Sequence, residues 1–266
     1  MTASLTKSAQ FLDVTQGKTI FMKRDVLFIH GWWASDWVWS QVADQFLSAG
    51  FNAHVVTLPG PESDRSRFSD NLEYALEAAR SLGNPILVGH SAGGLLAMKM
   101  CETINPPACI AITPAAPAGV MPRPSWLLLR FLVAALPSIA FGREFLPRSL
   151  LRQIDLNLLS AAEQDDILEK MRPVSASQVR MIAPSLIGVD RSRIHTPLLI
   201  VGASEDRLTP AAQTRAIARR YGADYREYPN AAHYILREPA WSDMTSDVID
   251  WLNEQQTGSL QQLQAQ

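Results

Sequence analysis

Ser91 lies at the centre of Gly89-His90-Ser91-Ala92-Gly93, between the apolar run Pro85-Ile86-Leu87-Val88 and the helix-prone stretch Gly94 to Met100. A serine held between a strand end and a helix start presents its hydroxyl away from the backbone, as a nucleophile must. Glycines two residues before and two after keep side chains out of a turn too tight to hold them. Composition alone produces such a run in about one chain in ten of this size, so a plain Gly-Ser turn opening a helix fits it equally. Chemistry at Ser91 requires a base, an acid and oxyanion donors at the places this turn dictates.

In an open parallel sheet, functional groups gather beyond the carboxyl ends of the strands. Of the five histidines, His30 ends a strand, His54 lies within one, and His195 precedes one. His90 adjoins Ser91 and cannot fold back onto its hydroxyl. His233 follows the strand 224–228 through Pro229-Asn230-Ala231-Ala232, on the correct edge, and is the expected general base. The acid is expected after the strand 197–201, where Glu205 and Asp206 stand side by side. Asp206 is preferred, with Glu205 and an ordinary charged loop as the alternatives. A buried Asp would accept the second imidazole N–H and stabilise the imidazolium. Ala92, opening the helix, should offer one oxyanion N–H. Trp32, in the loop His30-Gly31-Trp32-Trp33, should offer the other.

These groups need a scaffold. Strand-like runs at 18–24, 26–29, 51–57, 85–88, 108–113, 197–201 and 224–228 alternate with helical patterns at 36–49, 69–82, 91–104, 210–221 and 241–254. Asp36 is the expected N-cap of the first helix. Continuous apolar strands between helices indicate a mostly parallel sheet covered on both faces. The rhythm breaks between Pro114 and His195, where helical patterns at 125–136, 147–159, 160–171 and 176–187 occur without a good strand. The dense prolines from 106 to 137 mark an irregular region. A Gln-rich polar tail after Gln255 is expected to fray.

The chain has 266 residues, 47% of them hydrophobic, enough for one globular domain with an insertion. A net charge of -2 argues against nucleic acid or an anionic membrane as partner. Cys101 and Cys109 read as buried thiols of a reducing compartment. The first ten residues lack a signal-peptide layout, and the apolar segment Trp126 to Leu136 carries Arg130 and is too short to span a bilayer. A cytoplasmic location is therefore expected.

Taken together, His30-Gly31-Trp32, Leu58-Pro59-Gly60, Gly89 to Gly94, Gly202 to Asp206 with Pro210, and Asn230-Ala231-Ala232-His233 resemble the α/β-hydrolase superfamily. They occur in that family's order and cover nearly the whole chain outside 114–195. Two departures, Thr57-Leu58 before Pro59-Gly60 and Ala232 before His233, supply no triad group. The resemblance implies an α/β fold with a mostly parallel eight-stranded sheet, one strand reversed near the N-terminus. It implies a core formed by 1–113 and 196–266, a helical cap at 114–195, and a Ser91–His233–Asp206 triad.

The chemistry expected is acyl transfer to Ser91 from an ester, lactone or thioester, without metal or cofactor, in a monomer or homodimer. A serine nucleophile argues against the branches built on Asp or Cys. C–C bond hydrolysis or lyase chemistry on the same triad, and a non-catalytic ligand-binding protein of the same fold, are the alternatives. Neither a G-x-G-x-x-G after the first strand nor a P-loop lysine supports a nucleotide site. Most of Trp32, Trp126, Leu127, Leu128, Phe131, Phe141 and Phe145 are expected to be packing residues. Trp33, beside the oxyanion donor, should border a mainly apolar pocket for a small to medium hydrophobic acyl group. Arg123, Arg143 and Arg148 read either as solvated charges or as partners for a substrate carboxylate.

Overall fold

The computed structural model of the chain describes residues 24–61, 66–120 and 126–264. Six strands, β1 (Asp25–Ile29), β2 (Asn52–Val56), β3 (Ile86–His90), β4 (Cys109–Ile112), β5 (Leu198–Ala203) and β6 (Asp224–Tyr228), form one sheet in the order β2-β1-β3-β4-β5-β6. Every pairing is parallel. The run 18–24, which would supply a reversed strand, falls almost wholly outside the described residues.

Alternation along the strands explains the two covered faces. Val26 and Phe28 point into one apolar cluster, Leu27 and Ile29 into the other. Helices α1 (Ser40–Ser48) and α9 (Trp241–Gln264) pack together on the first face. Helices α2 (Phe68–Ser81), α3 (Ala92–Met100) and α8 (Ala211–Tyr221) cover the second. Phe28 is fully buried, with Phe46 edge-on at 5.1 Å and Trp39 tilted at 5.0 Å. A side chain of this size removed from water contributes about 1.5–3 kcal/mol.

Four helices lie between β4 and β5: α4 (Trp126–Phe141), α5 (Arg148–Ile154), α6 (Ala161–Lys170) and α7 (Ala176–Ile182). Their only ladder contact among the described residues is one antiparallel bridge, Phe145 to Val174. Phe131, Leu151, Ile154 and Ile167 join the same cluster as Val26 and Phe28, so the insertion shares a core with the sheet.

Several element bounds differ from the sequence reading. The segment 36–49 divides into a 3-10 turn, Asp36–Trp39, and α1; Asp36 sits inside the turn and Ser35 before it. β3 reaches His90 because His90 pairs with Ile112. β5 runs on to Ala203 because Gly202 and Ala203 pair with Glu227 and Tyr228. The helix expected over 176–187 stops at Ile182, and Ser185 has φ 55°. α4 passes through Pro137 to Phe141, although Pro137 removes one i→i−4 hydrogen bond, the one the Val133 carbonyl would have accepted. The tail after Gln255 continues α9 to Gln264 instead of fraying from that point. Trp126 and Phe141 are 70% and 78% exposed, so neither packs in the core as expected. No helix among the described residues is long and apolar enough to cross a membrane.

The connections after β1 and β3 leave in opposite directions, one toward β2 and the other toward β4. Their divergence opens a crevice beyond the strand ends, where such sheets bind ligands.

Candidate active site

Ser91 occupies that crevice. Its backbone has φ 56° and ψ -121°, a conformation that costs a non-glycine residue about 1–3 kcal/mol. The surroundings hold it there. Its N–H donates to Ile112 O at 2.9 Å, and its carbonyl accepts from Gly94 N, Leu95 N and Ala115 N. The flanking glycines are steric necessities. A Cβ on Gly93 would lie 2.3 Å from the Ile29 carbonyl oxygen, and one on Gly89 2.2 Å from that of Gly93. α3 starts so close against the end of β1 that only glycine fits at these positions.

The structure brings Ser91, His233 and Asp206 together. His233 Nε2 is 2.9 Å from Ser91 Oγ, and His233 Nδ1 is 2.8 Å from Asp206 Oδ2. All three residues are buried. Asp206 is saturated with donors. Leu208 N and Thr209 N donate to Oδ1 at 2.8 and 2.7 Å, and Thr209 Oγ1 donates to Oδ2 at 2.7 Å. Burial would raise the Asp206 pKa, but the His233 charge and these hydrogen bonds outweigh it and hold the carboxyl below its usual range. Burial likewise works against a charged His233, yet Asp206, then Asp155 and Glu238, lift its pKa to about 9. Glu205, one residue earlier, is exposed and faces away.

The loop that carries Trp32 and Trp33 lies against the serine. A Cβ on Gly31 would sit 2.8 Å from Ser91 Cβ. Ala92 opens α3, so its N–H has no acceptor within the helix. The Trp32 N–H has no backbone acceptor among the described residues. Both residues line, with Ser91, a half-open chamber walled by Leu128, Phe131, Ile182 and Leu208. A second chamber lies on the other side of the loop and is more polar, with His30, Asn71, Arg172 and Gln178 in its wall. Trp33 borders both. It has φ 61°, and its indole N–H donates to Phe145 O at 2.9 Å, tying the loop to the insertion.

The other histidines have structural tasks. His30 Nε2 accepts from Leu58 N at 3.0 Å while Nδ1 lies 2.9 Å from Gly31 O, so a neutral ring joins two loops. Burial keeps its pKa near 4. His54 Nε2 contacts Asp25 Oδ1, and His195 is exposed. Arg143 is exposed, Arg148 donates to Leu168 O, and Arg123 falls outside the described residues.

Four groups escaped the sequence reading. Thr209, three residues after Asp206, had a legible signal, because an Asp-x-x-Thr turn closes on its own carboxylate. His90 Nε2 lies 2.8 Å from His233 O and so holds the histidine loop, while Nδ1 is buried without a partner among the described residues. Glu238 Oε2 accepts from Ala232 N at 2.6 Å, capping that loop from below; burial pushes its carboxyl up to about 7. Asp155, at the end of α5, is buried with Oδ1 3.8 Å from His233 Nε2. No linear spacing links it to the other three.

The family model that matches residues 26–242 is described as the alpha/beta hydrolase family. The chain belongs to that family. A 79-residue stretch is 39% identical to the pimeloyl-[acyl-carrier protein] methyl ester esterase of Vibrio cholerae serotype O1, covering 29% of this chain and 31% of that protein. The protein of the same name from Sodalis glossinidius is 36% identical over 81 residues, 30% of this chain and 31% of its own length. The matches thus span about a third of these curated relatives. Among solved structures, Paleococcus ferrophilus monoacylglycerol lipase superposes with a TM-score of 0.66 at 21% identity, over 87% of this chain and 94% of that one. Tomato methylketone synthase I, complexed with 2-tridecanone, superposes with a TM-score of 0.69 at 15% identity, over 88% and 99%. Both likenesses are likenesses of fold.

Proposed function

We propose that the chain is a serine hydrolase of carboxylic esters, working through an acyl-serine on Ser91. The observation that carries this is the unbroken hydrogen-bond line from Ser91 Oγ through His233 to Asp206, ending at a mainly apolar chamber. The curated relatives are named as methyl ester esterases, which supports an ester over a lactone or thioester.

Ser91 Oγ attacks the substrate carbonyl carbon while His233 Nε2 takes the hydroxyl proton. Asp206, ionised and fully hydrogen-bonded, holds the ring in the tautomer whose Nε2 is free to accept, and stabilises the imidazolium. The N–H groups of Trp32 and Ala92 hold the oxyanion. The imidazolium then protonates the departing alcohol oxygen, and a water deprotonated by the same nitrogen releases the acid. The chamber walled by Leu128, Phe131 and Leu208 takes the hydrophobic acyl part of the substrate, with the insertion covering it. The two buried thiols, both free, support a reducing cytoplasmic setting.

A fluorophosphonate probe tests this. Wild-type protein should be labelled once, at Ser91, and Ser91→Ala should lose both labelling and p-nitrophenyl ester turnover while its melting temperature holds. Failure of the wild type to label would remove the hydrolase reading.

A further inference from the structure

Asp155 does not belong to the hydrogen-bond line just described, yet its carboxylate faces the same imidazole nitrogen that holds Ser91. Nε2 of His233 is 2.9 Å from Ser91 Oγ and 3.8 Å from Asp155 Oδ1. The second distance is too long for a hydrogen bond and short enough for an ion pair. The side chain is 2% exposed, and Oδ1 has no hydrogen-bond partner among the described residues. It also terminates α5, whose last carbonyls present the negative end of the helix. A buried carboxyl oxygen left unpaired at such a place is costly relative to an apolar residue of the same shape. Packing alone gives no reason for an acid there.

We propose that Asp155 is a positioning residue for His233: from the insertion side its carboxylate attracts the Nε2–H of the imidazolium and, with Asp206, sets how firmly the base keeps its proton. This rests on the ester hydrolase reading. When Ser91 attacks, the Oγ–H bond breaks, the Oγ–C bond forms and the proton moves to Nε2. The new Nε2–H then stands between the departing oxygen and Asp155. Attraction to Asp155 lowers the cost of forming the imidazolium and aims the ring, until the leaving oxygen takes the proton.

The groups facing this pair are few. His233 has Asp206 on Nδ1, Asp155 on Nε2, Glu238 below its loop, and the His90 ring at 5.1 Å. Asp155 itself feels His233 and Asp206, and shares its surroundings with the buried Tyr234 hydroxyl, which Arg237 also influences. Asp206 has four donors and stays ionised, whereas Oδ1 of Asp155 has none among the described residues. The charges on Asp155 and His233 act on each other, so the titration of each registers that of the other. Burial raises the Asp155 pKa to about 7, with the His233 charge opposing it.

The test is an NMR titration of the full chain. In the unaltered protein, the His233 ring ¹⁵N and the Asp155 carboxyl ¹³C signals should show common midpoints. In Asp155→Asn, the His233 midpoint should fall by about one unit, the low end for losing a charge this close. The acidic limb of kcat/KM for an activated ester should move down with it, and Asp155→Glu should return most of the shift. Independent midpoints in the unaltered protein, or an unchanged His233 midpoint in Asp155→Asn, would overturn the proposal. So would a loss of rate equal at every pH. A shifted midpoint in a protein that neither labels nor turns over would remove the esterase reading and leave the Asp155–His233 coupling standing.

Discussion

Two carboxylates flank the His233 imidazole, and they arrive from different parts of the molecule. Asp206 comes from the loop after β5, a strand of the parallel sheet next to its edge strand β6. Asp155 comes from the end of α5, in the insertion. Asp206 is held by Leu208 N, Thr209 N, Thr209 Oγ1 and His233 Nδ1, so its charge is solvated by protein dipoles. Asp155 is equally buried, and its Oδ1 has no hydrogen-bond partner among the described residues. The sheet side thus supplies a fixed negative charge, and the insertion side one that can gain or lose a proton. A base gripped only from the sheet would respond to pH through one residue. A base facing both responds through at least two.

The strongest way to break this contrast is Asp206→Asn. By analogy with triads in which the acid becomes an amide, kcat/KM should fall by about 10⁴, because the wrong imidazole tautomer is then favoured. A loss no larger than that of Asp155→Asn, measured with the same ester, would erase the distinction between the two sides. Thr209→Val should act next. It removes one donor to a charged oxygen, so urea denaturation should show about 1.5–3 kcal/mol less stability. Its kcat/KM should drop by less than that of Asp206→Asn, since two backbone donors remain. For the unaltered protein, kcat/KM should rise with pH toward the His233 value of about 9, because only the neutral imidazole can accept the serine proton. Asp155→Asn should bring that rise to lower pH. The smallest effect should come from Glu205→Gln, whose exposed side chain should leave both rate and pH profile unchanged.

The sheet side was legible in the sequence because each of its groups sits at a fixed offset from an apolar strand. Ser91 directly follows β3, Asp206 lies three residues past β5, and His233 five past β6. Even the choice between Glu205 and Asp206 follows from the turn after β5, which sends one side chain to solvent and folds the next onto its own backbone. The insertion side was not legible. Its helices were recognisable from their 3.6-residue pattern, but what α5 delivers to the site depends on how α5 packs, and no periodicity encodes that. Trp126 and Phe141 illustrate the same difficulty, since hydrophobicity alone suggested packing that neither makes. The bounds of β3 and β5 were short by one or two residues because neighbouring strands, not local propensity, extend them.

The loop that carries Trp32 and Trp33 is stitched to the insertion at three points: Trp32 Nε1 to Gln178 Oε1, Trp33 Nε1 to Phe145 O, and Arg172 N to Trp33 O. Residues 145–178 therefore grip the Trp32–Trp33 loop while Asp155, within that same span, faces His233. Substrate fit and proton affinity are consequently inherited together. A recombination event that exchanged this segment would transplant both traits at once, leaving the glycine-locked serine turn as an unchanging chassis.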